Sequence, residues 1–390
     1  MISGVICEFN PFHNGHKYLL ESAKKHSDYV VCVMSGNFTQ RGEISLIEKH
    51  ARAKMAIKNG ADIVIDLPVG WSMAGAENFA LGGVSLLHST NIVDNIVFGC
   101  EDSNIDKLIK TASLLKNENI LETIKTLSAT GITFAKAREK AFESIAPECA
   151  EILKKPNNIL AVQYIHTAIE LDFNCTFSPV SRIGAEHDSF EKSDIYASAS
   201  YIRENILNGN FDEVKNCIPD NITEDIIQNK HAKFDLLEKA IMFKLRSLSL
   251  DDFKKLPDVS EGIENRIFEQ IKYSKSFSEL IDNVKTKRYT MARIRRILMS
   301  AAFGIDNSYS KKKPPYIKIL AYSINAEHLV SKIVKHSDLP VIINTKDIEK
   351  LNDFGKIVFE NQNMTTNLYS LAFDEPIDCG TEYTLPIIKI

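Results

Sequence analysis

The chain has 390 residues, 44% of them hydrophobic and 25% charged, and carries a formal net charge of −4. That length suits two domains or three, and the composition is that of a packed globular protein. Apolar runs such as "YVVCVM" fall far short of the roughly 20 residues that a membrane-spanning helix needs.

The N-terminus lacks the basic flank, long apolar stretch and small-residue cleavage site of a signal peptide. The seven cysteines are scattered and form no CxxC pair, so zinc ribbons and disulfide frameworks are not expected and the chain reads as cytoplasmic. From the N-terminus, "ISGVICEF" reads as a buried strand and "GHKYLLESAKKH" as the helix after it. A second strand, "YVVCVMSG", is followed by the loop "NFTQRGE" and a helix through "LIEKHARAKMAIKNG". Then come a third strand "ADIVIDLP", a helix over Trp71 to Ser89 and a fourth strand "NIVDNIVFG". Continuous apolar strands alternating with helices predict α/β architecture, with a doubly wound parallel sheet covered on both faces. Residues Asn104 to Leu171 are helical in pattern and read as an insertion, before a fifth strand in "FNCTFSPVSRIG". "DIYASASYIRENILNGN" then enters a short helix that Gly209 ends. From about Cys217 helices follow without strands, and "PPYIKILAYS", "LPVIINT" and "PIIKI" form a last α/β stretch. The expected boundary lies near Asn210 to Pro219, dividing 1–215, with its strand–helix alternation, from 216–390, rich in α-helix.

The turn "NPFHNGH" leaves the carboxyl end of the first strand, the edge where open parallel sheets bind ligands. His13 and His16 there admit three readings. Two histidines one helical turn apart share a face and can share a metal, but no HExxH or similar pattern supplies the further ligand that catalytic zinc needs. They can also be satisfied parts of a capped turn. The third reading is a nucleotide site: Gly15 lets a ligand approach the backbone, and the helix starting there offers unpaired N–H groups to phosphate. "SASYIR", Ser198 to Arg203, reads alone as a Ser-capped helix with a solvated arginine.

Taken together, His13-Asn14-Gly15-His16 resembles the His-x-Gly-His signature of the nucleotidyltransferase superfamily, which includes class I aminoacyl-tRNA synthetases, and "SASYIR" resembles its late Ser-rich, Ile-Arg motif. The ordered set "GVICEFNPFHNGH", "MSGNFTQRGE", "DIVIDLP", "NIVFGCE", "KPNNILAVQYI" and "SRIGAEHD" is similar, over nearly the whole chain, to the bacterial tRNA(Met) cytidine acetate ligase family. The resemblance implies that acetate and ATP give acetyl-adenylate and pyrophosphate. The acetyl group then passes to the N4 amine of the wobble cytidine of elongator tRNA(Met). It implies catalytic roles for His13, His16, Ser200 and Arg203. ATP, as its magnesium complex, is expected on Ile6, Cys7, Glu8, Phe9, Asn10, Pro11, Phe12, Asn14, Gly15, Lys17 and Tyr18. Gly99, Arg182 and one of Asn157 and Asn158, with Asn158 preferred, complete that set. Gln40 and Arg41 are further candidates at the same edge; Asp66 and Glu77 lie near it and read equally as structural. No protein ligand to magnesium or other metal is visible in the pattern.

Between Val284 and Lys313 stand nine Lys/Arg residues against one acid, Asp306. Ile294, Leu298 and Ala301 repeat at helical spacing and predict a core face. Lys285, Lys287, Arg288, Arg293, Arg295 and Arg296 are the candidates for contacting tRNA, with Arg288 and Arg295 expected on one other helix side and Tyr289 as a base-stacking residue. Lys311, Lys312 and Lys313 extend the stretch. A solvated helix face is the plain alternative. Rival functions are a small-molecule adenylyltransferase, which suits a shorter chain without a basic region, a non-catalytic tRNA-binding protein, and an acetyltransferase using acetyl-coenzyme A.

Overall fold

The computed structural model describes residues 1–182 and 195–390. Strands β1 (Ile2–Cys7), β2 (Tyr29–Ser35), β3 (Ile63–Leu67), β4 (Asn95–Cys100), β5 (Thr176–Ser181), β6 (Ile317–Tyr322), β7 (Val341–Ile342) and β8 (Ile388–Lys389) form one sheet. Its order is β5-β4-β1-β2-β3-β6-β7, with β8 also on β6. The first five strands are parallel, and β6 joins β3 antiparallel. The division expected at 215/216 therefore runs across a shared sheet, because β6 to β8 return to it from the far end of the chain.

Alternation along the strands explains the two layers. Ile6, Val31, Val33, Ile65, Ile96 and Phe98 belong to one buried cluster; Val5, Cys7, Val30, Cys32, Met34 and Val97 belong to another. Side chains of a strand point alternately to opposite faces, so both faces carry a core and the strands read as unbroken apolar runs. The helix Ala76–Ser89 packs on the first cluster and Lys49–Lys58 on the second. Where one helix was expected over Trp71 to Ser89 there are two, Val69–Ser72 and Ala76–Ser89.

The strand order reverses at β1, which has β2 on one side and β4 on the other. At such a switch point the connections leave in opposite directions and a crevice opens beyond the carboxyl ends. The "NPFHNGH" turn leaves β1 into that crevice, and Gly99 lies near the end of β4.

Candidate active site

The helix Asn14–Lys24 begins with a reciprocal cap made of its own histidines. His13 is the N-cap, and its Nδ1 accepts the Gly15 N–H at 3.1 Å. His16 reaches back, its Nδ1 accepting the His13 N–H at 3.3 Å. Each bond occupies Nδ1 as an acceptor, so the proton of each neutral ring sits on Nε2. The rings stack with centroids 3.7 Å apart. Burial, then Arg182 and Arg203, lower the His13 pKa to about 3; burial, His13 and Arg182 hold His16 well below the usual imidazole range. Two stacked imidazolium rings would repel strongly, so the pair is built to remain neutral and to donate through two Nε2–H groups.

Gly15 has a sharper reason than backbone access for a ligand. A Cβ there would stand 2.9 Å from His13 Cε1, so a side chain would displace the capping ring. Behind the turn, Phe9 and Phe12 are fully buried and pack edge to face, Phe9 also against His16. Asn10 ties the turn to the next loop: Nδ2 donates to Ile44 O, and Oδ1 accepts from Leu46 N at 2.8 Å.

A cavity of about 500 Å³ opens in front of the histidines. His13, His16, Arg182, Ser200 and Arg203 line it, as do Gly99, Asn157 and Glu8. Gln40, Arg41 and Glu43 come from the loop after β2, and Phe79, Phe98, Leu160 and Tyr164 give it an apolar wall. A smaller lobe of about 100 Å³ adjoins it, walled by Gly15, Tyr18, Leu19 and the end of β5 at Val180 to Arg182. Thus His13 and His16, drawn from residues 13–16, meet Ser200 and Arg203 from residues 198–203 in one cavity.

The helix Ala199–Leu207 is capped by Ser198, whose Oγ accepts from Tyr201 N and lies 3.1 Å from the Ser200 Oγ. Gly209 follows with φ +77°, the left-handed stop expected there. Arg203 is anchored twice: Nη1 donates to Asn10 O and Nη2 to Glu43 Oε2, both at 2.8 Å. Glu43 also accepts from Arg295 Nη1 at 2.8 Å through its other oxygen. One carboxylate therefore joins the cavity's arginine to the basic helix. Gly42, at φ +74°, permits that approach, since a Cβ there would lie 3.1 Å from Arg296 N.

Several expectations need correction. Asn158, the preferred asparagine, is buried, and its Oδ1 accepts from Glu101 N and Asp102 N at 2.9 and 3.0 Å. It fixes the loop after β4, whereas Asn157 lines the cavity. Phe9, Pro11, Phe12, Asn14 and Lys17 are absent from both cavity walls. Asn14 Nδ2 donates instead to Ile195 O and Asn216 O, tying the turn to both sides of the Ser198-capped helix. Asp66 is buried and ion-paired with Lys49, and Glu77 does not line the cavity. Residues 183–188 of "SRIGAEHD" lie outside the described residues.

On the basic stretch, Ile294, Leu298 and Ala301 face the core of the helix Met291–Phe303 as their spacing predicts. Arg288 precedes that helix and donates to Gly131 O, so it does not share a helix side with Arg295. Arg293 pairs with Glu261, Arg295 with Glu43 and Arg296 with Asp258. Tyr289 is buried, with its hydroxyl donated to Glu261 O, and presents no free ring for stacking. Lys285, Lys287 and Arg288 are exposed. Sequence reasoning missed Glu43, Tyr164 and the apolar wall. The signal for Glu43 was present, an acid closing "QRGE" at the ligand edge.

A parallel sheet reversed at β1, with a His-x-Gly-His turn capping the following helix, defines a nucleotidyltransferase of the HIGH type. The HIGH Nucleotidyl Transferase family profile matches residues 1–381. The tRNA(Met) cytidine acetate ligase of Thermoanaerobacter sp. (strain X514) is 37% identical over the full length of both chains. The crystal structure of Thermotoga maritima TmcAL (apo, form I) superposes with a TM-score of 0.93 at 30% identity, covering 100% of this chain and 99% of that one. The same protein bound with alpha-thio ATP gives 0.91 at 29% identity, with the same coverage. The chain belongs to the tRNA(Met) cytidine acetate ligase family. Among the described residues, no helix is long and apolar enough to cross a membrane.

Proposed function

We propose that the protein activates acetate with ATP as acetyl-adenylate and transfers the acetyl group to the N4 amine of the wobble cytidine of elongator tRNA(Met). The observation that carries this reading is the stacked, neutral His13–His16 pair facing a cavity shared with Arg182, Ser200 and Arg203. ATP enters as its magnesium complex. The smaller lobe, walled by Tyr18, Leu19 and the end of β5, suits adenosine, and the larger chamber leaves room for acetate and an unpaired cytosine. Asn157 is the asparagine we assign to the nucleotide.

Acetate itself attacks the α-phosphorus, so no protein nucleophile is required. The protein supplies positioning and charge stabilisation. The two Nε2–H groups and the helix N-terminus receive charge on the α-phosphoryl oxygens, while Ser200 and Arg203 hold the leaving pyrophosphate. Arg203 exchanges Glu43 for phosphate when it does so. Adenylation is needed because the cytosine amine is conjugated with its ring and is a weak nucleophile, which demands a good leaving group on the acetyl carbon. For tRNA we assign the surface around Lys285, Lys287 and Arg288, with Arg293, Arg295 and Arg296 as the paired arginines behind it.

The test is incubation with ATP, labelled acetate and unmodified tRNA(Met). Label retained in cytidine only when ATP is present supports the reading. Label delivered from acetyl-coenzyme A, or pyrophosphate exchange indifferent to acetate, overturns it.

A further inference from the structure

The proposed reaction has a second half that the histidine pair does not serve. When the N4 amine attacks the acetyl carbonyl carbon, a C–N bond forms and the C–O bond to the phosphate breaks, its electron pair leaving with AMP. The nitrogen must also lose a proton. Among the described residues, most groups lining the cavity are unable to take it. His13 and His16 use Nδ1 to cap the helix and carry their proton on Nε2. Arg41, Arg182 and Arg203 are cations with no acceptor. Burial pushes the Cys7 thiol and the Tyr164 phenol well up, so both stay protonated. In the transfer step, once pyrophosphate has left and Arg203 has returned, both Glu43 oxygens are held by arginines.

We propose that Glu8 is the general base of the transfer step, accepting the proton from the cytidine N4 amine; this rests on the acetyl-transfer reading above. Glu8 stands just past the end of β1, on the wall of the larger chamber. Its Oε1 accepts the Gln40 N–H at 2.7 Å, which fixes the carboxylate. Among the described residues no cation forms an ion pair with it. A carboxylate repels a triphosphate, so within the segment 6–18 this side chain suits the acceptor rather than ATP. The surrounding charges and titrating groups are Glu43, Arg203, Arg52, Cys7 and Tyr164. Burial raises the Glu8 pKa despite the Gln40 bond, which makes it a better base than an exposed carboxylate.

The experiment separates the half-reactions. Acetate-dependent exchange of labelled pyrophosphate into ATP reports activation, and chemically prepared acetyl-adenylate with unmodified tRNA(Met) reports transfer. Glu8→Gln keeps the size and the acceptor for Gln40 but loses the base. It is expected to slow transfer by about a hundredfold or more and to lower exchange far less, with Glu8→Asp recovering part of the transfer loss. Transfer at the parent rate, or an equal fall in both half-reactions, overturns the assignment. A second measurement needs no variant: with acetyl-adenylate supplied, the transfer rate of the unaltered protein should fall on the acid side as Glu8 protonates, and a flat transfer profile counts against Glu8. An unaltered protein that exchanges but transfers nothing overturns the acetyl-transfer reading itself, a result distinct from a defect confined to Glu8→Gln.

Discussion

At the carboxyl ends of β1, β4 and β5, polar side chains face an open cavity. At the ends of β2 and β3, on the same sheet edge, they face the chain's own C-terminal segment. There Lys49 Nζ lies 2.6 Å from Asp66 Oδ2 and 2.5 Å from Glu382 Oε1. Lys318 pairs with the other Glu382 oxygen, Thr366 donates to Glu382, and Gln362 accepts the Val69 N–H. The difference follows from topology. The order reverses at β1 and leaves a crevice, whereas β6 returns antiparallel on β3 and brings residues 317–389 over the other half. Charged residues at a strand end thus become a site or a plug according to what the chain lays over them. Asp66, at the plugged half, is structural for that reason.

The largest expected effect lies in the plug. Glu382→Ala leaves Lys49 and Lys318 buried without their shared counter-charge, and removing one partner of a buried ion pair costs about 3–5 kcal/mol. Urea unfolding should show that loss, while nucleotide affinity of the folded variant changes little. A variant as stable as the parent would mean that the plug contributes nothing.

On the open half, His16→Ala should slow acetyl-adenylate formation by roughly a hundred- to a thousandfold, about 2.7–4 kcal/mol for one preorganised donor. The lost cap costs less, about 1 kcal/mol of stability. tRNA binding, measured separately, should survive, and its equal loss would reassign His16 to a structural role.

The same pair predicts a pH dependence. His13 titrates near 6.5 unfolded and about 3 folded, so between those values the unfolded chain binds the extra proton. Stability is therefore full above about pH 6.5 and declines as pH falls, with His13 contributing a slope of about 1.4 kcal/mol per pH unit within the window. His16, lowered in the same direction, steepens it. His13→Gln should flatten the change in Tm between pH 6.5 and 4; an unchanged slope would show that the rings are not held neutral.

The open half was legible in the sequence because most of it is local. A strand, a turn and a helix cap within residues 2–24 place both histidines, and "SASYIR" has its own cap. The plug was not legible: Lys49 and Glu382 are 333 positions apart, and nothing near either names the other. Asn157 and Asn158 show the limit at its finest. Adjacent residues on a helix differ by about 100° in direction, and only the fold decides which meets the cavity and which meets Glu101 N.

The basic stretch repeats the contrast on the surface and carries the smallest effect. Its arginines looked like a phosphate track because their neighbours in sequence are basic, yet Arg293, Arg295 and Arg296 each have a carboxylate partner distant in sequence. A phosphate reaching Arg295 must displace Glu43, so much of the attraction is already spent. Lys285 and Lys287 are exposed, and each neutralised phosphate changes the salt dependence of single-stranded RNA binding by a slope of about 0.7. Replacing both lysines with Gln should therefore lower the slope of log affinity against log salt by about 1.4. Arg295→Gln with Arg296→Gln should lower it less while costing stability, since Asp258 loses its ion pair and Glu43 keeps only Arg203. The opposite ranking would place the RNA on the arginine face, with its phosphates taking over the two carboxylates' partners.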